Sequence, residues 1–199
     1  MILSLSTATH LYWLGRYMVR VEGICQLAPF QNDQAAVRFA HAFCLPAWNV
    51  ASLERLLHDP AQPSSLPSHL AVIQENAQSV RGVISQATFE ALHTLWRMRD
   101  DPLVSTCQLL AEAKAAFAQE QGLVQTFWSL GQAIEAVDRS LRLEDSPQSA
   151  LEILKTVQAH LPDAWQRPKS LMDSVLSYPS ATSFYSLTDG LNEMFAEGP

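Results

Sequence analysis

The stretch Leu11-Tyr-Trp-Leu-Gly-Arg-Tyr-Met-Val-Arg-Val-Glu-Gly-Ile-Cys25 recurs, altered, 116 positions later as Phe127-Trp-Ser-Leu-Gly-Gln-Ala-Ile-Glu-Ala-Val-Asp-Arg-Ser-Leu141. In the first copy Leu14, Met18, Val21 and Cys25 repeat at i, i+4, i+7 and i+11, and in the second Leu130, Ile134, Val137 and Leu141 do the same. That spacing is the signature of a helix that buries one stripe. An acidic residue, Glu22 or Asp138, follows the third apolar position in each copy, at the border of the stripe. Each copy also carries a glycine, Gly15 or Gly131, inside its helical pattern. A glycine there costs about 0.5–1 kcal/mol relative to alanine, so its presence at equivalent places predicts close approach of another backbone or a ligand. The two repeat helices are therefore expected to cross near these glycines and to bring Glu22 and Asp138 toward a shared centre.

Three segments in order, Tyr12-Trp-Leu-Gly-Arg-Tyr-Met-Val-Arg-Val-Glu22, Gln74-Glu-Asn-Ala-Gln-Ser-Val-Arg-Gly-Val-Ile-Ser85 and Leu130-Gly-Gln-Ala-Ile-Glu-Ala-Val-Asp138, resemble the signature segments of the alpha-E domain family. The resemblance covers about residues 5 to 145. It implies an all-helical fold and, as partner, an ATP-grasp carboxylate–amine ligase or a transglutaminase-like protein, with peptide or amide-bond chemistry nearby. It also marks departures. Where the family places Glu-Arg before the final acidic position, the first copy has Val19-Arg20 and the second Glu135-Ala136, and Gln132 stands at the usual arginine position.

The chain of 199 residues is 48% apolar, ordinary for a globular protein with a proper core. Its net charge of −7 supplies no basic stripe, so nucleic-acid binding is not expected. The apolar residues near the start are interrupted by Ser4, Ser6, Thr7, Thr9 and His10, with no basic region before them, so neither a signal peptide nor a membrane span is expected. Cys25, Cys44 and Cys107 are odd in number and widely spaced, which offers no disulfide framework and fits a cytoplasmic protein.

No period-two stretch is long enough for a sheet, and the patterning predicts an all-α bundle of about 8–10 helices. The first helix is expected over about 7–28, capped by Ser6 or Thr7, and the second repeat helix over 123–143. Between them, helices are expected over 31–44, 50–57, from Ser65 or Ser68 to about Ile84, from Ser85 to Arg99, and from Asp101-Pro102 to about Gln119, with Gly122 as the stop. Ser146-Pro147 should start a helix to about His160. Residues 1–161 read as the bundle and 162–199 as a helical tail on the same domain, ending in an amphipathic helix with Phe184, Leu187, Leu191 and Phe195.

Two polar constellations stand out. Tyr12, Arg16 and Arg20 lie at i, i+4 and i+8, so their side chains line one stripe, and paired guanidinium forks suit a carboxylate or phosphate. Glu22, Glu75, Glu135 and Asp138 are candidates to line one inter-helix pocket, with Arg81 nearby. In that reading Glu22, Glu135 and Asp138 are catalytic, and Tyr12, Arg16, Arg20, Glu75 and Arg81 bind substrate. The alternative is a structural network in which arginines neutralise the acids and fix helix register.

Other chemistries are weaker. Glu90-Ala-Leu-His93 is one Glu-x-x-His motif where a carboxylate-bridged metal pair needs two, so no metal ligand is assigned. No cysteine sits in a nucleophile signature. The chain has no glycine-rich phosphate loop, and it is expected to bind no cofactor itself, with ATP and Mg²⁺ belonging to a partner ligase. Three readings follow: a component of an amide-ligating system with a carboxylate–arginine site, a non-catalytic helical adaptor for a ligase or transglutaminase-like partner, and, last, a metal–carboxylate bundle.

Overall fold

The computed structural model describes residues 3–99 and 102–197. Among them all regular structure is helical: α1 (Leu5–Leu27), α2 (Asp33–Ala42), α3 (Val50–His58), α4 (Leu66–Ser79), α5 (Gln86–Arg97), α6 (Leu103–Phe117), α7 (Gly122–Leu143), α8 (Gln148–His160), α9 (Gln166–Ser177) and α10 (Ala181–Glu197), with a 3-10 turn at Asp163–Trp165. The all-α class holds, and α1 and α7 carry the two copies of the repeat. None of the described helices is long and apolar enough to cross a membrane.

Helix ends show where local chemistry decides and where it does not. Ser65 and Ser85 accept from the third residue of α4 and α5, as the sequence predicts. At α3, Asn49 and Ser52 form a reciprocal capping box. The start of α1 differs: Ser4 Oγ, rather than Ser6 or Thr7, accepts from the Thr7 N–H at 3.1 Å, which brings Leu5 into the helix. α4 ends at Ser79, short of the expected Ile84, and Val80 to Ile84 continue as turns around Gly82, a poor helix former.

Of the Asp101-Pro102 start, Asp101 lies outside the described residues, and Pro102 precedes α6 with no side-chain cap. Gly122 does not stop α6, which ends at Phe117; it opens α7 with φ 62°. Pro147 precedes α8 without help from Ser146. The end of α7 carries no glycine, yet Glu144 takes the left-handed conformation at φ 56°.

The chain folds as two compact units, residues 1–16 with 120–199, and residues 17–119. In the first unit the beginning of α1 meets α7 at backbone contact. A Cβ at Gly15 would fall on the carbonyl oxygen of Trp128 and lie 3.0 Å from the Gln132 nitrogen. A Cβ at Gly131 would fall on the carbonyl oxygen of Tyr12 and lie 3.0 Å from the Arg16 nitrogen. Trp128 and Gln132 are the repeat equivalents of Tyr12 and Arg16, so the contact is reciprocal, one copy making to the other what it receives. Around it Leu11, Leu14, Leu130, Ile134 and Val137 are buried. An aromatic cluster closes the unit: ring centroids lie 4.9 Å apart for Tyr12 and Phe195, 5.3 Å for Trp165 and Phe195, and 5.0 Å for Phe127 and Trp165. Residues Phe184, Leu187 and Leu191 of α10 and Met172 and Val175 of α9 are buried, so the C-terminal helices contribute core.

The second unit holds the remainder of α1 and helices α2 to α6. One apolar cluster joins Ile24, Phe30, Phe39, Leu53, Leu56 and Leu57. Leu70, Ile73, Leu92, Leu95, Leu110 and Phe117 are also buried within this unit. Here the structure corrects the cysteine reading. Cys25 on α1 is bonded to Cys107 on α6 across 82 residues, and only Cys44 is a free thiol, exposed. Cys25 does complete the helical stripe, but the pairing depends on which helices become neighbours, which local spacing does not encode.

Two predictions follow from this architecture. Closing an 82-residue loop contributes about 4–5 kcal/mol in the chain-entropy picture, and observed effects are usually smaller. Cys25→Ser with Cys107→Ser should lower the stability of residues 17–119 by about 2–4 kcal/mol, read as a lower urea midpoint that reductant reproduces in the parent chain. At the crossing, Gly15→Ala gains helix propensity of about 1 kcal/mol but places a methyl on a backbone carbonyl that has no rotamer to escape into. Net destabilisation of about 1–3 kcal/mol is expected there. Gly82→Ala, with nothing within 4 Å of its Cβ, should be neutral or better in the same melt.

Candidate functional site

Close backbone approach brings the polar residues of α1 and α7 together. Arg16 Nε donates to Glu135 Oε2 at 2.7 Å, and Arg16 Nη1 donates to Tyr12 Oη at 3.2 Å. The guanidinium carbon stands 5.7 Å from the Tyr12 ring centroid and 5.0 Å from that of Trp13, over both aromatic faces. Glu135 is 3% exposed and Tyr12 fully buried. Burial alone would push the Arg16 pKa down, but Tyr12 and Glu135 outweigh it and hold the pKa above the ordinary arginine value. The positive charge is therefore fixed at every pH the folded protein meets. Of the predicted site residues, Tyr12, Arg16 and Glu135 form one connected group.

One turn along α7, Asp138 is bonded to Arg142, whose Nε donates to Asp138 Oδ1 at 2.9 Å in an i, i+4 pair. Asp138 is 8% exposed, at the edge of the buried stripe as its spacing predicts.

The remaining predicted residues belong to the second unit. Glu22 Oε1 accepts from Lys114 Nζ at 2.6 Å, with both side chains about a quarter to a third exposed. Arg20 lies with its guanidinium carbon 4.7 Å from the Tyr17 ring centroid, and the Tyr17 ring is 5.4 Å from that of His69. Glu75 and Arg81 are exposed, and Arg81 stacks its guanidinium 4.9 Å from the Phe89 ring centroid.

Three participants fall outside the predicted set. Lys114 is the cation for Glu22, although it is the lone lysine on α6 and signals nothing by itself. Arg142 is legible in principle, since Asp138 and Arg142 stand at i, i+4. Trp13 adjoins the Tyr12–Arg16 stripe, and its ring face is visible only in three dimensions.

For metal chemistry, no group of three or more His, Cys, Asp or Glu side chains is placed to hold an ion among the described residues. His93 of the single Glu-x-x-His motif stacks on Phe89, with parallel rings 6.1 Å apart. Chemically, the arrangement on α1 and α7 is a carboxylate whose charge is already met by a fixed cation in a dry setting. A proton on that carboxylate would leave the partly buried Arg16 without its counter-charge.

The pairing occupies only one of the two sets of equivalent positions. Position 16 is Arg where position 132 is Gln, and position 135 is Glu where position 19 is Val. The charges that remain are the two that bond each other, and the equivalents of both are neutral. Removing one partner of such a buried pair is expected to cost about 3–5 kcal/mol. Glu135→Val should therefore lower the melting temperature sharply, whereas Arg16→Gln combined with Glu135→Val, which copies the neutral residues of the repeat, should recover most of the loss. A double-mutant cycle by thermal and urea melts measures the coupling.

No curated protein and no solved structure is significantly similar to the chain. One family matches, described as a predicted alpha-helical domain with a conserved ER motif, and its match runs over residues 4–188, well past the 5–145 of the three signature segments. The Glu-Arg dipeptide occurs once in this chain, at Glu54-Arg55 on α3, while the repeat positions read Val19-Arg20 and Glu135-Ala136. With nearly its whole length matched and every described element helical, the chain belongs to the alpha-E family.

Proposed function

We propose that the protein is a non-catalytic helical adaptor in a peptide or amide-bond forming system, docking onto an ATP-grasp-type ligase or a transglutaminase-like enzyme. The observation that carries this reading is the closure of the acids in ion pairs: Glu135 with Arg16, Asp138 with Arg142, Glu22 with Lys114. A general base must be released to take a proton, and a substrate clamp must have its fork open. The two of these that join different helices, Arg16–Glu135 and Lys114–Glu22, instead fix helix register, the best-attested use of such networks.

The partner's identity rests on the family resemblance, and ATP and Mg²⁺ belong to that partner. An ATP-consuming partner implies a cytoplasmic setting, in which Cys25 and Cys107 are under reducing pressure. For docking, the C-terminal helices present Tyr178 and Tyr185, 74% and 53% exposed. Exposed tyrosines are favoured anchors at interfaces because they bury a large rigid ring while keeping a polar tip.

The test is a reconstitution with the candidate ligase, ATP, Mg²⁺ and amino acids, followed by mass spectrometry. The Arg16→Gln/Glu135→Val protein, Asp138→Asn and Glu22→Gln should each support product within about twofold of the parent once folded fraction is matched. Tyr178→Ser with Tyr185→Ser should weaken partner binding by about tenfold or more with an unchanged melt, as loss of interface anchors does. A folded carboxylate variant that loses product a hundredfold would make the acids catalytic and overturn the adaptor reading.

A further inference from the structure

Within the second unit a cleft of about 350 Å³ opens beside the disulfide. Its walls are apolar, formed by Phe30, Leu57, Leu66, Leu103 and Val104 with the Cys25–Cys107 bridge among them, and its size falls in the range of small-ligand sites. Two polar side chains join this lining, Glu54 and His58, one turn apart on α3.

The chemistry of these two is specific. Unlike the carboxylates of the repeat, the half-buried Glu54 carboxylate has no hydrogen-bond or ion-pair partner among the described residues. His58 Nδ1 lies 2.7 Å from the Glu54 carbonyl oxygen. A carbonyl only accepts, so Nδ1 is the donor in this contact, and in the singly protonated ring Nε2 is then an acceptor. The Glu54 carboxylate is thus an acceptor on the cleft wall, with the singly protonated His58 ring able to be a second. No lining residue is a lysine or arginine. The missing complement is a donor with positive charge attached to an apolar body.

We propose that this cleft is a binding site for a small amphipathic amine, with the apolar body against Phe30, Leu57, Leu66 and Val104 and the ammonium group at Glu54 and His58. An ammonium has three donors and no acceptor, which matches a carboxylate that has no partner among the described residues. An isosteric alcohol offers one donor and no charge, and a carboxylate is repelled.

The site is independent of the adaptor reading, since it uses none of the repeat carboxylates. The experiment is a titration of the full-length oxidised protein with 2-phenylethylamine, 2-phenylethanol and 3-phenylpropionate, by calorimetry and by amide shifts in nuclear magnetic resonance. Saturable amine binding that shifts Leu57, His58 and Val104, about tenfold tighter than the alcohol and tighter still than the acid, is the expected result. Glu54→Gln should erase the preference of amine over alcohol, and Glu54→Lys should turn it toward 3-phenylpropionate, each with the parent melting temperature. Absence of saturation for the amine up to about 10 mM, weaker than any useful pocket affinity, overturns the proposal. Equal binding of all three probes, or a preference unchanged in Glu54→Gln, overturns it as well.

Discussion

Two glycines set the distance on which the first unit depends. At Gly15 and Gly131 the backbones of α1 and α7 meet with no room for a Cβ, and each glycine rests on the carbonyl three residues before the other. At the usual 8–10 Å between helix axes, side chains fill the gap and polar groups at its edge reach water. Closer approach removes that layer. Tyr12 and Glu135, flanking the contact, then become interior residues, and an interior carboxylate must find a cation. The ion pair between Arg16 and Glu135 is thus a consequence of the glycine contact as much as a support for it.

The repeat explains why the contact is reciprocal. Here position 16 is Arg and position 135 is Glu, while 132 is Gln and 19 is Val. Buried ion pairs bring little net stability over apolar residues of similar volume but are costly to break by halves. Replacing both charges of such a pair is therefore less costly than replacing one. The uneven repeat leaves one ion pair between its copies, Arg16 with Glu135, while the equivalent positions, Gln132 and Val19, carry no charge.

Much of this fold is legible in the amino-acid sequence. The helical period of Leu14, Met18, Val21 and Cys25 is enough for α1, the 116-residue offset for α7, and Gly15 with Gly131 for the crossing. Serine caps at 65 and 85 are readable because a cap is a contact over three residues. The choice of partners is not. Asp138 bonds Arg142 on its own helix, whereas Glu22 takes Lys114, 92 residues away, and Cys25 takes Cys107. Those choices depend on which helices stack, and helix order along the chain leaves that open. Gly122 misleads for a related reason: its positive φ serves the entry to α7, and a glycine between two helices reads equally well as the end of one or the beginning of the next.

The distribution of charge also separates two kinds of acid in this chain. Glu22, Glu135 and Asp138 attract notice because they sit in a repeated motif, yet each is held by a cation at hydrogen-bond distance. Changing the protonation or partner of such a group costs the interaction it already has, and for Glu135 that includes the penalty of a stranded buried guanidinium. Glu54 belongs to no repeat and draws no attention in the sequence. Among the described residues its carboxylate has no partner, and it lines an apolar cleft, so a cation bound there would cost only partial desolvation and would gain a charge-assisted hydrogen bond. Recognition chemistry in this molecule is therefore better sought at the lone acid on α3 than at the acids that first look like a site.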